Sequence, residues 1–171
     1  MPARNLYHLE LTEDRRLPEL VSSPGPTLRQ PSEDDIGAIS ELMLDAYYGT
    51  IDYHGETIED AVEEVQAYFE GHSGGAALIE LSRLAFQDDQ LVAACLCNQW
   101  SENGQPLVAF VMTRAATKNQ GFASLVLSEA LDDLAGAGHQ HVYAVITEGN
   151  VPSERLFYSK GFSQVSDPIA T

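Results

Sequence analysis

A strand, a glycine-containing loop and a helix follow one another in the middle of the chain. The apolar run Leu107–Thr113 has the length and composition of a strand, and a helix with apolar and polar residues at helical spacing begins at about Phe122. The first amide groups of a helix have no partner within it and lie at the positive end of its dipole. Gly121, just before the helix, lets a bulky anion approach the backbone because it has no Cβ. The arrangement therefore predicts a site for a phosphate or pyrophosphate.

The loop sequence separates this site from two familiar phosphate-binding motifs. It contains neither the G-x-x-x-x-G-K-[ST] pattern of a P-loop nor the G-x-G-x-x-G fingerprint of dinucleotide-binding folds. The hexapeptide Lys118–Ala123 instead resembles the [Q/R]-x-x-G-x-[G/A] signature of the GNAT superfamily of acyl-CoA-dependent N-acyltransferases. Lys118 replaces the usual Gln or Arg, and Ala123 replaces the second glycine. Taken alone, the hexapeptide also fits an ordinary connection between a strand and a helix.

A second segment strengthens the resemblance. Asn150–Phe162 is similar to the N-x-x-[A/S]-x-x-L-[Y/F]-x-x-x-G-F segment of the same superfamily, with every anchor at the expected spacing. Locally, Pro152 favours the first turn of a helix and Gly161 favours its end. The two motifs occur in order and are separated by a helix and a strand. The chain is therefore identified as a member of the GNAT superfamily from about residue 27 to residue 165.

The resemblance implies an α/β (α+β) fold. It predicts a single GNAT-like domain over residues 27–171, with a mixed central sheet that is splayed at its fourth and fifth strands and flanked by helices. Residues 1–26 are predicted to be an N-terminal extension of unassigned role, by default a structural cover for a sheet edge or for a partner subunit. Within this extension, residues 6–11 have the pattern of a strand and Ser22–Pro26 has the composition of a linker.

Local signals predict elements in the order that this fold requires. Capping boxes at Ser32–Asp35 and Thr57–Asp60 predict the starts of two helices. A hairpin turn at Asp88-Asp89 is expected to join strands over residues 80–87 and 90–98. The other predicted elements are strands over residues 27–30, 107–113, 141–147 and 162–165, and helices that begin at about residues 122 and 152.

The resemblance also implies acetyl-CoA as cosubstrate and indicates which residues hold it. The pantetheine arm would lie between the splayed strands, and backbone amides of the loop would bind the pyrophosphate. The acetyl group would pass directly from the thioester to an amine, with no covalent enzyme intermediate and no metal. The implied cofactor-binding residues are Val111, Met112, Thr113, Lys118, Asn119, Gln120, Gly121, Phe122, Ala123, Ser124, Asn150 and Ser153.

Two further departures from the superfamily pattern affect positions that often carry catalytic groups. Phe157 stands where a tyrosine often protonates the leaving thiolate, and Leu107 stands where a carboxylate sometimes acts as base. The catalytic candidates are therefore Tyr158, one residue beyond Phe157, and Glu148, at the exit of the following strand. An alkylammonium with a pKa near 10.4 must lose a proton before it can attack at pH 7, at a cost of roughly 4–5 kcal/mol. A base or a chain of water molecules must supply that free energy.

The charge of the chain is large and unevenly distributed. A net charge of −17 argues against nucleic acid and anionic membranes as partners, because both are bound by basic surfaces. Residues 30–82 carry thirteen carboxylates and no Lys or Arg. Carboxylates and aromatic faces attract ammonium groups, so a cationic small molecule or peptide is the predicted acceptor, with a generally acidic, solubilising surface as the alternative. The predicted acceptor-binding residues are Asp45, Tyr48, Asp52 and His54.

Composition limits the remaining possibilities. The chain has 171 residues, no apolar run of the length that a membrane span needs, and an N-terminus without the apolar core of a secretory signal. A cytoplasmic protein with reduced thiols is expected, since Cys95 and Cys97 are too few for a zinc site. The predicted function is N-acetylation of a primary amine by a monomer or homodimer. An acyl-CoA sensor without turnover, and a structural domain that has lost the cofactor, remain as alternatives.

Overall fold

Eight strands and four α-helices occur in the part of the chain that the structure, a computed structural model, describes, namely residues 2–12 and 25–166. The strands are β1 (Arg4–Glu10), β2 (Thr27–Arg29), β3 (Gly75–Ala77), β4 (Arg83–Gln87), β5 (Gln90–Trp100), β6 (Pro106–Thr113), β7 (His141–Thr147) and β8 (Ser163–Gln164). The helices are α1 (Ile36–Tyr47), α2 (Ile58–Glu70), α3 (Phe122–Gly136) and α4 (Val151–Ser159). None of the described helices is long and apolar enough to cross a membrane.

The strands form one mixed sheet in the order β2-β4-β5-β6-β7-β1-β8, and β3 pairs with part of β5. Neighbouring strands are antiparallel except for β6 and β7, which run parallel. A parallel pair needs a crossover connection, and α3 provides it. The predicted α/β (α+β) architecture is confirmed.

Helices cover both faces of the sheet. On one face, α1 and α2 bury Ile39, Leu42 and Val65 against β4, β5 and β6. On the other face, α3 buries Leu127 and Leu131 against β5, β6 and β7. The sheet is therefore held between two hydrophobic layers, each of which removes large apolar side chains from water.

The N-terminal strand is part of this sheet. All seven residues of β1 pair with β7, from Arg4 opposite Thr147 to Glu10 opposite His141, and two residues pair with β8 on the other side. The predicted strand over residues 6–11 therefore lies close to the observed one. The division at residue 26 stays a prediction, although the structure places residues 4–10 beside the core strands. Part of the predicted linker, residues 22–24, lies outside the described residues.

Local sequence explains most element ends. Both predicted capping boxes are present, with the Asp35 and Asp60 side chains accepting from the backbone amides of Ser32 and Thr57. Asp88 and Asp89 have φ values of 50° and 63° and form the predicted hairpin turn. The short strand β3 was not predicted. Gly75 permits it, because a Cβ at this position would lie 1.7 Å from the Gln99 carbonyl oxygen.

Candidate active site

The parallel strands β6 and β7 separate shortly after they meet. Their pairing comprises only Leu107 with Tyr143 and Val108 with Ala144, although β6 continues to Thr113 and β7 continues to Thr147. The separation begins at an irregularity in β6, where Leu96 pairs with Phe110 and Cys97 with Val108, so that Ala109 is an extra residue. Such a bulge bends the strand and increases its twist. A cavity of about 660 Å³ lies at the splay.

The splayed edge of β6 offers backbone groups to this cavity. Val111 lines the cavity, whereas the Met112 side chain is buried beneath α1 and α2. Val111, Met112 and Thr113 pair with β5 on one side only. Because the backbone groups of a strand point alternately to its two sides, those directed away from β5 face the gap toward β7. An extended chain with amide groups fits such an edge.

The loop before α3 has the backbone geometry of an anion site. Asn119 and Gly121 have φ values of 68° and 85°, and α3 begins directly afterwards at Phe122. None of the backbone amides of residues 119–124 donates a hydrogen bond to another described residue. A Cβ at Gly121 would meet no atom within 4 Å, so the space beside this glycine is open. The predicted residues Asn119 to Ser124 are thus brought together at one helix N-terminus.

Three basic side chains lie near this loop, and each of them contacts a different group. The Lys160 Nζ donates to Ser124 Oγ at 2.6 Å and so lies at the first turn of α3. The Lys118 Nζ lies 3.4 Å from the carbonyl oxygen of Ala46. Arg114 instead uses its Nε to donate to the Leu91 carbonyl oxygen. Sequence reasoning did not include Lys160 among the site residues, although its place in the second motif was the signal that could have found it.

A carboxylate joins the predicted acceptor side to the predicted cofactor side. Asp52 accepts from Thr147 Oγ1 at 2.7 Å and from Asn150 Nδ2 at 2.7 Å. The Asn150 side-chain oxygen in turn accepts from the Ser153 amide at 3.3 Å and caps α4. All four residues line the cavity. These hydrogen bonds therefore attach the loop between α1 and α2 to the end of β7, beyond the two residues at which β7 pairs with β6.

The cavity wall is strongly acidic. Tyr47, whose side chain also lines the cavity, has a pKa raised by burial and further by the neighbouring carboxylates of Asp52 and Glu64, while Arg4 opposes this effect. Its phenol is therefore uncharged at neutral pH. Arg4 is the basic residue among the described lining residues. The acidic lining residues are Asp52, Glu56, Asp60, Glu64 and Glu102.

Three predicted acceptor-binding residues lie outside the cavity lining. Asp45 accepts from the backbone amide of Ala115 at 2.7 Å and so supports the loop after β6. Tyr48 is 71% exposed and packs against Tyr53, with ring centroids 5.2 Å apart. His54 is exposed, and its backbone amide donates to the Glu56 carboxylate at 2.8 Å. Their roles in acceptor binding stay predictions. Tyr53, an aromatic residue of the same loop, does line the cavity.

The two predicted catalytic residues also lie away from the cavity lining. Glu148 is exposed in the turn after β7, where its amide donates to the Ala3 carbonyl oxygen. Tyr158 is 51% exposed and packs edge-on against Tyr7, with ring centroids 5.5 Å apart. Leu107 and Phe157 do line the cavity. The catalytic assignments stay predictions, whereas the two residues that replace the usual base and acid border the cavity.

A family profile described as the acetyltransferase (GNAT) domain matches residues 27–163. The chain belongs to the GNAT acetyltransferase family. Members of this family use acetyl-CoA and bind an acceptor substrate. No curated protein matches the chain. In the described part of this GNAT chain, no group of three or more His, Cys, Asp or Glu side chains is arranged to hold a metal ion.

Solved structures share the GNAT fold. A GCN5-related N-acetyltransferase from Sphaerobacter thermophilus has a TM-score of 0.67 and 21% identity; the match covers 96% of this chain and 50% of that protein, so this chain spans about half its length. The ribosomal-protein-S18-alanine N-acetyltransferase from Escherichia coli has a TM-score of 0.63 and 13% identity, with coverage of 82% and 79%. The ribosomal-protein-alanine N-acetyltransferase from Brucella melitensis has a TM-score of 0.63 and 19% identity, with coverage of 79% and 83%. At these identities the likeness shows the fold alone.

Proposed function

We propose that this GNAT chain transfers an acetyl group from acetyl-CoA to a primary amine of a cationic small molecule or peptide. The observation that carries the proposal is the cavity at the splay of β6 and β7. It is lined by Val111, Asn150 and Ser153, which the resemblance assigns to the cofactor, and by five acidic residues, whose charge suits an ammonium group. One space therefore brings a thioester arm and a cationic amine within reach of each other.

The residues around the splay fit acetyl-CoA, which would supply the activated acetyl group. The open edge of β6 would accept and donate hydrogen bonds to an amide-containing arm. The free amides of residues 119–124 and the positive end of the α3 dipole would hold a pyrophosphate. Lys160, beside Ser124, would add a positive charge at the same helix end.

The reaction requires proton transfers that the cavity must support. The acceptor nitrogen bonds to the acetyl carbon as the carbon–sulfur bond breaks; the nitrogen loses two protons overall, and the thiolate gains one. The carboxylates of the cavity would hold the ammonium and take up a proton directly or through water. Holding the amine beside the thioester increases the rate further, because the two reacting groups are already oriented and need not meet by random collision. Glu148 and Tyr158 are the base and acid expected from the sequence, but because neither lines the cavity, we expect them to contribute little to these proton transfers.

A binding module without turnover is the second candidate. The observation in its favour is that Leu107 and Phe157, which line the cavity at the positions of the usual base and acid, carry no exchangeable proton on their side chains. Such a module would bind acyl-CoA through the same loop and splay. It would require neither an acceptor nor the acidic wall of the cavity, so the conspicuous excess of carboxylates favours the transferase.

Free-thiol release from acetyl-CoA in the presence of an amine panel tests the proposal. We expect thiol release that depends on the amine and is highest for cationic acceptors. CoA alone should also raise the unfolding free energy by about 2.7 kcal/mol at a hundred times its dissociation constant. Stabilisation by CoA without amine-dependent thiol release would support the binding module. The absence of both effects would contradict the two candidates together.

A further inference from the structure

A second cavity, of about 430 Å³, adjoins the acidic one. Trp100 and Glu102 line both cavities, so the two spaces meet at the turn between β5 and β6. The second cavity is called the distal groove below. The other residues that line it are Leu6, His8, Asn103, Tyr143 and Val165.

The N-terminal strand builds the floor of the distal groove. Directly opposed residues of antiparallel strands lie on the same face of a sheet, and Leu6 opposes Val145 while His8 opposes Tyr143. Val145 lines the first cavity and Leu6 the second. The Leu6–Val145 pair therefore continues the floor from one cavity into the other. Without β1, this side of β7 would have no floor for the groove.

Aromatic rings follow one another along the groove. The Trp100 and Tyr143 ring centroids are 6.0 Å apart, and those of Tyr143 and His8 are 5.0 Å apart. The His8 Nε2 lies 2.9 Å from the His141 Nδ1. Burial, and then the nearby His141, lower the pKa of His8, so this ring is uncharged at neutral pH. The His8 and Tyr143 rings are half-buried and Trp100 is 9% exposed, so the row offers neutral aromatic surface mainly at Tyr143 and His8. Aromatic faces attract cations.

Glu102 supplies negative charge at the junction. It is exposed, and within residues 2–12 and 25–166 it makes no ion pair. Aromatic faces together with an unpaired carboxylate recognise an ammonium group, whereas the Leu6 and Val145 side chains suit a methylene chain. The chemistry of the distal groove therefore repeats that of the acidic cavity at a second position.

We propose that the distal groove binds a second cationic group of an elongated acceptor, with Trp100, Tyr143 and Glu102 as its recognition residues. This inference rests on the proposed function, since the reacting amine would occupy the acidic cavity. The acceptor class is then a linear di- or polyamine in which an aliphatic spacer crosses the Leu6–Val145 pair. The β1 strand acquires a role in acceptor specificity.

Intrinsic fluorescence tests the groove without catalysis, because Trp100 is the single tryptophan of the chain. Titration with spermine should change the Trp100 emission saturably. Because Trp100 also lines the acidic cavity, butylamine can change its emission as well, but only the spermine affinity should depend on Tyr143. Tyr143→Leu and Glu102→Gln should each weaken spermine binding by about five- to tenfold. Asp88→Asn, which removes the same charge from the exposed hairpin turn between β4 and β5, outside both cavities, should leave the spermine affinity unchanged. Equal weakening by Asp88→Asn and Glu102→Gln would overturn the proposal in favour of attraction by overall charge.

Steady-state acetylation separates this inference from the function on which it rests. The ratio of kcat/KM for spermine to kcat/KM for butylamine is unaffected by general losses of activity. This ratio should exceed about ten, and it should fall about five- to tenfold in Tyr143→Leu. Acetylation of butylamine without any Trp100 response to spermine would overturn the distal groove and leave the proposed function standing. A groove-dependent Trp100 response without acetylation of any amine would support the groove and contradict the proposed function.

Discussion

Gly121 has a backbone conformation that favours glycine, and it also leaves open the space that a side chain would fill. A pair of substitutions can separate these two effects. Its φ of 85° is unfavourable for any residue with a side chain, at a cost of about 1–2 kcal/mol. The space in front of it, where a Cβ would project, is open. Gly138, just beyond the other end of α3, has a φ of 91° and equally open surroundings.

We therefore expect Gly121→Ala and Gly138→Ala to lower the unfolding free energy by similar amounts, about 1–2 kcal/mol. Only Gly121→Ala should weaken CoA binding, by at least about tenfold, because its methyl group would enter the space of the pyrophosphate. Urea unfolding and CoA titration measure the two effects. Equal CoA affinity in the two variants would contradict the placement of the pyrophosphate at α3.

Substitution of Tyr158 tests whether its hydroxyl is the acid that protonates the leaving thiolate. Its ring packs against Tyr7 and does not line the cavity, so Tyr158→Phe should change kcat by no more than a few-fold. General acid catalysis typically contributes about 10²–10⁴-fold. A fall of that size, with unchanged thermal unfolding, would show that Tyr158 reaches the thiolate. Phe157→Tyr is the matched variant, since it adds a hydroxyl to a ring that does line the cavity.

At the scale of elements, the structure around α1 depends on one ion pair. Asp35 accepts from Arg29 Nη1 at 2.8 Å and Nη2 at 2.6 Å and from the Ser32 amide at 2.8 Å, and it is almost fully buried. Arg29, on the edge strand β2, also lies over the Phe86 ring. This contact fixes the chain at the start of α1.

Asp35→Asn should lower the unfolding free energy by about 1–3 kcal/mol at pH 7, because a bidentate charged hydrogen bond is lost. The Arg29 guanidinium lowers the pKa of Asp35 in the folded state. The stabilisation is therefore complete above the unfolded-state pKa of about 3.9 and is lost as the pH falls through the folded value. Urea unfolding at several pH values should show the two proteins converging below about pH 4. A constant difference down to pH 3 would contradict the ion-pair origin.

Elements that depend on local signals could be predicted, and elements that depend on distant partners could not. The start of α3 at Phe122 follows from Gly121 and the apolar periodicity that comes after it. The β1 strand was legible as an apolar alternation, but its position between β7 and β8 depends on residues more than a hundred positions away. No local pattern encodes that register, so the contribution of Arg4 and Leu6 to the cavities could not be foreseen.

At the scale of the whole molecule, the sequence located the acidic segment but could not show which of its carboxylates line the cavity. Asp45 and Asp52 lie seven positions apart at the end of α1 and in the loop beyond it, yet Asp45 holds the loop after β6 whereas Asp52 lines the cavity. Both were equivalent in the sequence, because they flank Tyr48 at similar distances along the chain. Only the packing of α1 and its loop on the splayed strands separates a carboxylate that supports the loop after β6 from one that lines the cavity.

The net charge of −17 attracts every cation, so the effect of the cavity must be distinguished from that of the overall field. Glu63 and Glu64 are adjacent, exposed residues of α2, but only Glu64 lines the cavity. Glu63→Gln and Glu64→Gln change the net charge equally. We expect Glu64→Gln alone to raise KM for a cationic amine, by about threefold, the scale of an exposed charge pair, without changing KM for acetyl-CoA. Its effect should shrink as salt rises from 0.05 to about 0.5 M, because screening weakens exposed pairs. Equal shifts in both variants would mean that the overall field, rather than the cavity, selects the acceptor.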